Sequence, residues 1–436
     1  MLQPIRYSPS TPDPKLDDIL SRQIEFTPEL EATVNHIVSE VRTRGDDAVL
    51  SFTKEFDGVD LTMADLVVTD DELDAAVKKA DPAFLSVIES AAANIRRFHE
   101  NQKKPSWFVE DGDGVILGKR IVPIERVGLL VPGASAPLFS TLLMAAVPAK
   151  IAGVPHIAVA TPPQPDGDVH PTVLAAARIA GVDRVYRAFG AQAVAALAYG
   201  TETFTRVDKL VGPGHPVVQI AKKVVFGRVD IDTIAGPSEI VVLADSKADP
   251  RHIAADMLSQ AEHGSGYEAA VCITPDPEIA KRVAEELRKQ LADLSHREAA
   301  ELALSRFGAI IVVDDIPQGV QLVNEIAPEH VELIVDNPWQ VQAGIRHAGA
   351  IFLGAASSEP VGDYFAGTNH ILPTAGAARY ASSVGVGTFQ KDISLISYTD
   401  ERLRKSAGAI IQMAEAEGLD GHANAIRVRL QTPEDE

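Results

Sequence analysis

Three short stretches carry side chains that could do chemistry together. Leu258-Ser259-Gln260-Ala261-Glu262-His263 closes an apolar-periodic helix (Ile253, Met257, Leu258, Ala261) and sets Gln260 and His263 at i and i+3 on one face. An amide oxygen and a neutral imidazole in that relation can hold a borderline cation such as Zn²⁺. Two ligands do not make a site, and taken alone such a pair is more often a hydrogen-bonded surface or core feature. Pro328-Glu329-His330 ends a helix and precedes the apolar run Val331 to Ile334. An adjacent Glu and His, read as standing at the carboxyl edge of a sheet, could serve as a general-base pair at neutral pH, although chance adjacency is the commoner origin of such pairs. The third stretch, Val361 to Thr374, packs Asp363, Asn369 and His370 with Gly367 and Pro373 into a segment with no helix or strand period. A rigid polar loop is costly to keep ordered without function, and Asp363 can offer an oxygen ligand. Further on, Glu417-Gly418-Leu419-Asp420-Gly421-His422 sets a histidine beside acids.

The elements that must position these residues can be read from hydrophobic period. A chain of 436 residues exceeds one ordinary core, so two or more globular units are expected. Residues 1–112 read as a helical segment: Thr27-Pro28 is a helix start, a second helix runs from Asp46 to Phe56, and two more fill 70–103, divided near Asp81-Pro82. From Val115 short β-rich runs alternate with helices, which means βαβ units and a parallel sheet. The alternation restarts near Ile240, giving one α/β unit over 113–238 and a second over 239–375, the latter holding the candidate metal and catalytic residues. Residues 376–436 hold a helix from Arg402 to Ala416 and a polar end with the acidic tail Glu434 to Glu436.

Glycine-rich turns follow strands at Pro132-Gly133, Gly190-Ala191-Gln192 and Gly212-Pro213-Gly214, where open α/β sheets bind ligands. None is a G-x-G-x-x-G or a P-loop, and plain turn chemistry explains each equally well. The net charge of −21 argues against nucleic-acid or anionic-membrane partners. Cys272 is the only cysteine and lies in an apolar run typical of a buried strand, so neither a disulfide framework nor a thiolate metal cluster is expected. The polar N-terminal stretch lacks a signal-peptide core and no apolar run reaches membrane-spanning length, so a soluble cytoplasmic protein is expected.

Taken together, Gly236-Pro-Ser-Glu239, Leu258 to His263, Ala327-Pro-Glu-His330, Gly362-Asp363 with Gly367 to Thr374, and Glu417 to His422 resemble the histidinol dehydrogenase family in order and spacing, from about residue 25 to 430. The resemblance implies a homodimer of two incomplete, doubly wound Rossmann-like domains with a small intertwining C-terminal segment that crosses the dimer. It implies oxidation of L-histidinol through L-histidinaldehyde to L-histidine, with one Zn²⁺ per subunit and two NAD⁺ reduced. By motif match, Gln260, His263, Asp363 and His422 would hold zinc, His330 would take the alcohol proton, and Glu329 would activate water on the aldehyde. Ser140, Ser238, His370 and Glu417 match further substrate-contacting positions, with Glu417 and His422 reaching across the dimer. Leu130, Gln192 and His215 match cofactor positions. Leu130 stands where the family has Tyr, Ala134 where it has Gly, His215 where it has Asn, and Gly264 where Asp is common.

A rival of the same fold is a paralogous zinc- and NAD-dependent alcohol dehydrogenase acting on another small polar alcohol, for example a sulfonated propanediol; retention of His370, Glu417 and His422 favours histidinol. A zinc hydrolase with Glu329 activating metal-bound water would need an open ligand position and no nucleotide site. A non-catalytic binding protein would have no use for Glu329 and His330 beside four ligand candidates.

Overall fold

Runs of Val, Ile and Leu too short for a helix, closed by Gly, Pro or Asp, set the strands. The computed structural model describes residues 2–8, 13–22, 26–133 and 137–431; Ala134 and the tail Glu434 to Glu436 lie outside them. The first strands are β1 (Pro4–Arg6), β2 (Trp107–Glu110), β3 (Val115–Pro123), β4 (Arg126–Leu130) and β5 (His156–Thr161). They are followed by β6 (Arg184–Arg187), β7 (Lys209–Val211), β8 (Asp230–Ile231), β9 (Glu239–Ala244) and β10 (Ala269–Thr274). The last are β11 (Gly308–Val312), β12 (His330–Ile334), β13 (Ala350–Leu353) and β14 (Gln390–Tyr398).

By contacts the chain forms two units, one of residues 1–102 and 124–389, the other of 103–123 with everything from 390 onward. The larger unit holds two parallel sheets, ordered β6-β5-β4-β7-β8 and β1-β11-β10-β9-β12-β13. Leaving aside the edge strand β1, each is wound outward from one strand (β4 or β9) and then crosses back to the other side of it, a doubly wound arrangement with a switch point beside that strand. Alternation along β4 divides the core: Val127 and Leu129 join one apolar cluster with the helices Pro82–His99 and Phe139–Ala152, and Leu130 joins the other with Pro28–Arg44 and Asp46–Asp57. The N-terminal helices therefore cover both faces of the first sheet. Thr27 caps Pro28–Arg44 by accepting from Leu30 N–H at 3.3 Å, and Gly45 beyond its end takes φ +58°. Cys272 is buried in the second sheet, where burial pushes its thiol up to about 12, the behaviour of a core residue.

The structure differs from the sequence reading in places where pairing is non-local. The stretch 115–122, read as opening the parallel alternation, instead runs antiparallel between β14 and β2 in the smaller unit, with Val115 opposite Tyr398. β1 adds an edge strand to the second sheet from the region read as purely helical, and a helix Arg297–Phe307 follows Pro277–Leu291. No described helix is long and apolar enough to cross a membrane.

Candidate active site

Glu239 opens β9 and His330 opens the neighbouring parallel strand β12, with His330 paired to Ile240. Residues that precede a strand stand at its amino end, so Glu329 and His330 lie at the amino edge of the second sheet, not at the carboxyl edge read from the sequence. The backbone groups of Glu239 that lie past the last rung of the ladder turn to these side chains. Its N–H donates to Glu329 Oε2 at 3.0 Å, and its carbonyl oxygen accepts from His330 Nδ1 at 3.0 Å. A carbonyl can only accept, so Nδ1 carries the proton and Nε2 presents its lone pair. That Nε2 is buried without a hydrogen-bond partner, 3.9 Å from Asp363 Oδ1. Burial holds the His330 imidazole down to about 4, so it is neutral at physiological pH. Burial, and then the charges of Glu239, Asp363 and Glu359, hold the Glu329 carboxyl well above the usual carboxylate range against the Glu239 N–H that lowers it.

Gln260 occupies the last turn of the helix Pro250–Ala261 and is fully buried, with its Oε1 unpartnered. His263 comes just past the helix end rather than within it, and its Nδ1 lies 3.1 Å from the Gln260 carbonyl oxygen and 3.2 Å from that of Ser259. Nδ1–H donates there, and Nε2 is left as an acceptor or ligand atom. Gln260 and His263 remain adjacent, the amide nitrogen 3.5 Å from Nδ1.

Asp363 was read in a segment without helical period; it sits instead on a short helix, Glu359–Tyr364, begun by a proline at its second position. Four residues apart on that helix, Glu359 and Asp363 share a face. Together with His330 they form the group of His and acid side chains, among the described residues, whose ligand atoms come within 4.8 Å of one another. Glu359 accepts from Ser259 Oγ at 2.9 Å. Burial raises Glu359 to about 7 and Asp363 to about 6. His263 acts electrostatically on both carboxylates and on His330 and His370.

His370 is held at both ring nitrogens. Nδ1 donates to the Asp363 carbonyl oxygen at 3.1 Å, and Nε2 then accepts from Thr141 Oγ at 3.1 Å. Thr141 and the buried Ser140 lie in the first turn of the helix after β4, so the amino edge of the second sheet faces that turn. The loop behind His370 needs glycine at 367: it takes φ +100°, and a Cβ there would overlap the Asn94 carbonyl oxygen. Ser238, half-buried, precedes β9, and its carbonyl accepts from Ala269 N–H at 3.1 Å.

Of the cofactor candidates, Leu130 ends β4 and His215 follows β7, the two strands that flank the switch point of the first sheet, whereas Gln192 follows the edge strand β6. Leu130 is 1% exposed, so its side chain belongs to the core. Gly212 packs on it so closely that a Cβ would overlap the Leu130 carbonyl oxygen. A fully buried ion pair clasps this glycine: Asp232 Oδ2 accepts its N–H at 2.8 Å and Lys222 Nζ donates to its carbonyl at 2.9 Å. Gln192, 2% exposed, stands in the first turn of Ala191–Tyr199, and His215 is exposed at the start of Pro216–Val225 without a side-chain cap bond. Glu417 and His422 belong to the smaller unit, where they stand exposed at the end of Asp400–Ala416 and the start of Asp420–Arg427.

Sequence reasoning missed Glu359, Thr141 and Glu239 as members of the site. The i, i+4 spacing from Glu359 to Asp363 was a usable signal, and Glu239 lies in the Gly236-Pro-Ser-Glu239 motif itself. The residues fit a cation: an orphaned amide oxygen on Gln260, the His263 Nε2 left by its Nδ1–H bonds, and the Asp363 carboxylate suit N/O coordination without sulfur. Position suits a nucleotide as well, since Leu130 and His215 flank the point where the strand order of a parallel sheet reverses.

The histidinol dehydrogenase family model matches residues 20–430. Histidinol dehydrogenase of Synechococcus sp. is 50% identical over 402 residues, 92% of either chain. That of Syntrophotalea carbinolica is 48% identical over 408 residues, 93% of this chain and 94% of its own. The crystal structure of histidinol dehydrogenase from Elizabethkingia anophelis superposes with a TM-score of 0.92 at 37% identity and covers 98% of both chains. With matching motifs, a match over most of its length and a shared fold, the chain belongs to the histidinol dehydrogenase family.

Proposed function

We propose that this chain oxidises L-histidinol to L-histidine through L-histidinaldehyde, as a step of histidine biosynthesis in the cytoplasm. The observation that carries the reading is the buried Glu329–His330 pair fixed on Glu239, with the His330 Nε2 lone pair free beside Asp363. An alcohol-to-acid oxidation needs one base for the hydroxyl proton and one for water, and needs no thiol, so the buried Cys272 is no obstacle.

Zinc would be held by Gln260, His263, Asp363 and His422 of the partner subunit, and would supply positive charge that orients the imidazole and amine of the substrate. NAD⁺ would be received by Gln192, His215 and the main chain at Leu130 and would supply the hydride acceptor. His330 Nε2 takes the alcohol proton as the carbinol C–H departs as hydride, leaving the aldehyde. Glu329 takes a proton from the water that adds to the aldehyde carbon, giving the hydrate. His330 again takes a hydroxyl proton as the second hydride leaves, and the carboxylic acid remains. One alcohol, one water and two NAD⁺ become one carboxylate, two NADH and three protons. Ser140, Ser238, His370 and Glu417 of the partner subunit line the substrate.

Metal analysis tests the zinc assignment: one zinc per subunit is expected, and chelation is expected to abolish turnover while leaving the oligomer folded. Full turnover after complete removal would take zinc out of the mechanism.

A homodimer is supported by the smaller unit. Along β14 every residue from Lys391 to Tyr398 is exposed, Ile396 by 75%, and on β2 Phe108 is 65% exposed. Apolar strands bare of cover mark an interaction face. Ile396→Glu is expected to shift sedimentation from dimer to monomer and to lower turnover with it; a fully active dimer would remove this sheet from the interface.

A further inference from the structure

We propose that Glu239, clamped by Arg22, is the positioning residue that fixes both Glu329 and His330; the inference rests on the two-step oxidation above. Besides the two backbone bonds to Glu329 Oε2 and His330 Nδ1, Glu239 spends its whole carboxylate locally. Oε2 accepts the Glu329 N–H at 3.0 Å, and Oε1 accepts the Ala375 N–H at 3.0 Å. One residue thus holds Glu329 at both its main chain and its carboxylate, holds the tautomer of His330, and ties down the chain just after the loop that carries His370. Backbone pairing in a parallel sheet accounts for none of the side-chain bonds.

A carboxylate only 5% exposed is costly unless paired, and the partner comes from far away in sequence. Arg22, 7% exposed, forms an ion pair with Glu239 Oε1 and donates to the Tyr267 carbonyl oxygen. Its guanidinium also lies 5.7 Å from the Phe307 ring. Arg22 follows the helix Pro14–Leu20, which no motif marks as functional, yet it neutralises the charge that holds the dyad. Neither Arg22 nor Glu239 carries out a proton transfer in the mechanism.

The contacts divide unequally between the two half-reactions. His330 is oriented by the Glu239 carbonyl, which a side-chain substitution leaves in place, whereas Glu329 loses a main-chain anchor when the carboxylate is altered. In Glu239→Gln one acceptor survives, and the new NH₂ confronts Arg22 or a backbone N–H. Oxidation of L-histidinaldehyde is therefore expected to fall by about 100-fold and oxidation of L-histidinol to the aldehyde by less than about 10-fold, the scale of a misplaced catalytic group. NADH per histidinol would drop from two toward one, with aldehyde released. Arg22→Lys, which keeps the charge, is expected to retain the two-NADH yield, and Arg22→Met to lose it in the same lopsided way. The experiment measures both half-reactions and the thermal midpoint for wild type and these variants. Equal losses in both steps that track the thermal midpoint would overturn the inference in favour of a purely structural ion pair, as would Arg22→Met or Glu239→Gln with unchanged partition. If Glu239→Gln does not fold, the Arg22 variants decide the question on the same readout. A wild type that yields no NADH from histidinol would defeat the proposed activity itself, and this inference with it.

Discussion

Glu329→Gln is expected to stall the second half-reaction while sparing the first. Loss of a general base costs about 10²–10⁴-fold, so aldehyde oxidation should fall by that factor, with histidinol oxidation to the aldehyde changed by less than about 10-fold. The amide is nearly isosteric and can still accept from the Glu239 N–H, so the geometry at His330 is preserved. Stopped-flow release of NADH from histidinol and from the aldehyde reads the two steps separately. Equal losses would end the division of labour between Glu329 and His330. The pH dependence follows the same residue. Burial and the neighbouring carboxylates raise Glu329 well above the usual carboxylate range, and only the ionised form takes a proton from water. Aldehyde oxidation should therefore climb with rising pH through that raised value and decline as the carboxyl protonates below it; in Glu329→Gln the climb should vanish.

His330→Asn is expected to slow both hydride transfers by about 10²–10⁴-fold, because each requires a base at the reacting hydroxyl. The wild-type imidazole, held down to about 4, is already in its base form at neutral pH and becomes protonated only near that value. A histidine titration near its ordinary value should accordingly be missing from the profile of histidinol oxidation. Single-turnover rates with each substrate measure the loss. A variant that oxidises the aldehyde at the wild-type rate, or one whose first step is unimpaired, would remove His330 as the shared base.

Much of this was legible in the residues because catalytic and ligand chemistry uses few side-chain types. Gln260, His263, Glu329, His330, Asp363 and His370 could be named from type and spacing, and the structure brings these six within one region of the larger unit. The strand–helix alternation likewise gave two wound α/β sheets, since buried parallel strands and amphipathic helices leave local periods. What failed was non-local. The pairing of β3 with β14 joins residues some 270 positions apart, and no local period announces a partner strand so distant. The placement of Glu329 and His330 at the amino edge depended on which strand followed them and in which direction it ran. Glu359 was hidden because Pro360 and Gly362 disguise a one-and-a-half-turn helix, so an i, i+4 pair of carboxylates read as loop. The role of Glu239 rests on four hydrogen bonds made to residues more than 85 positions away, and composition at its own position says nothing of them.

The central claim, a four-electron oxidation run by one buried Glu–His pair, is tested most directly by counting NADH. Zinc-loaded protein given limiting L-histidinol and excess NAD⁺ should release two NADH per histidinol and leave L-histidine as product. A count of one with aldehyde accumulating, or no NADH from histidinol while zinc stays bound, would contradict it.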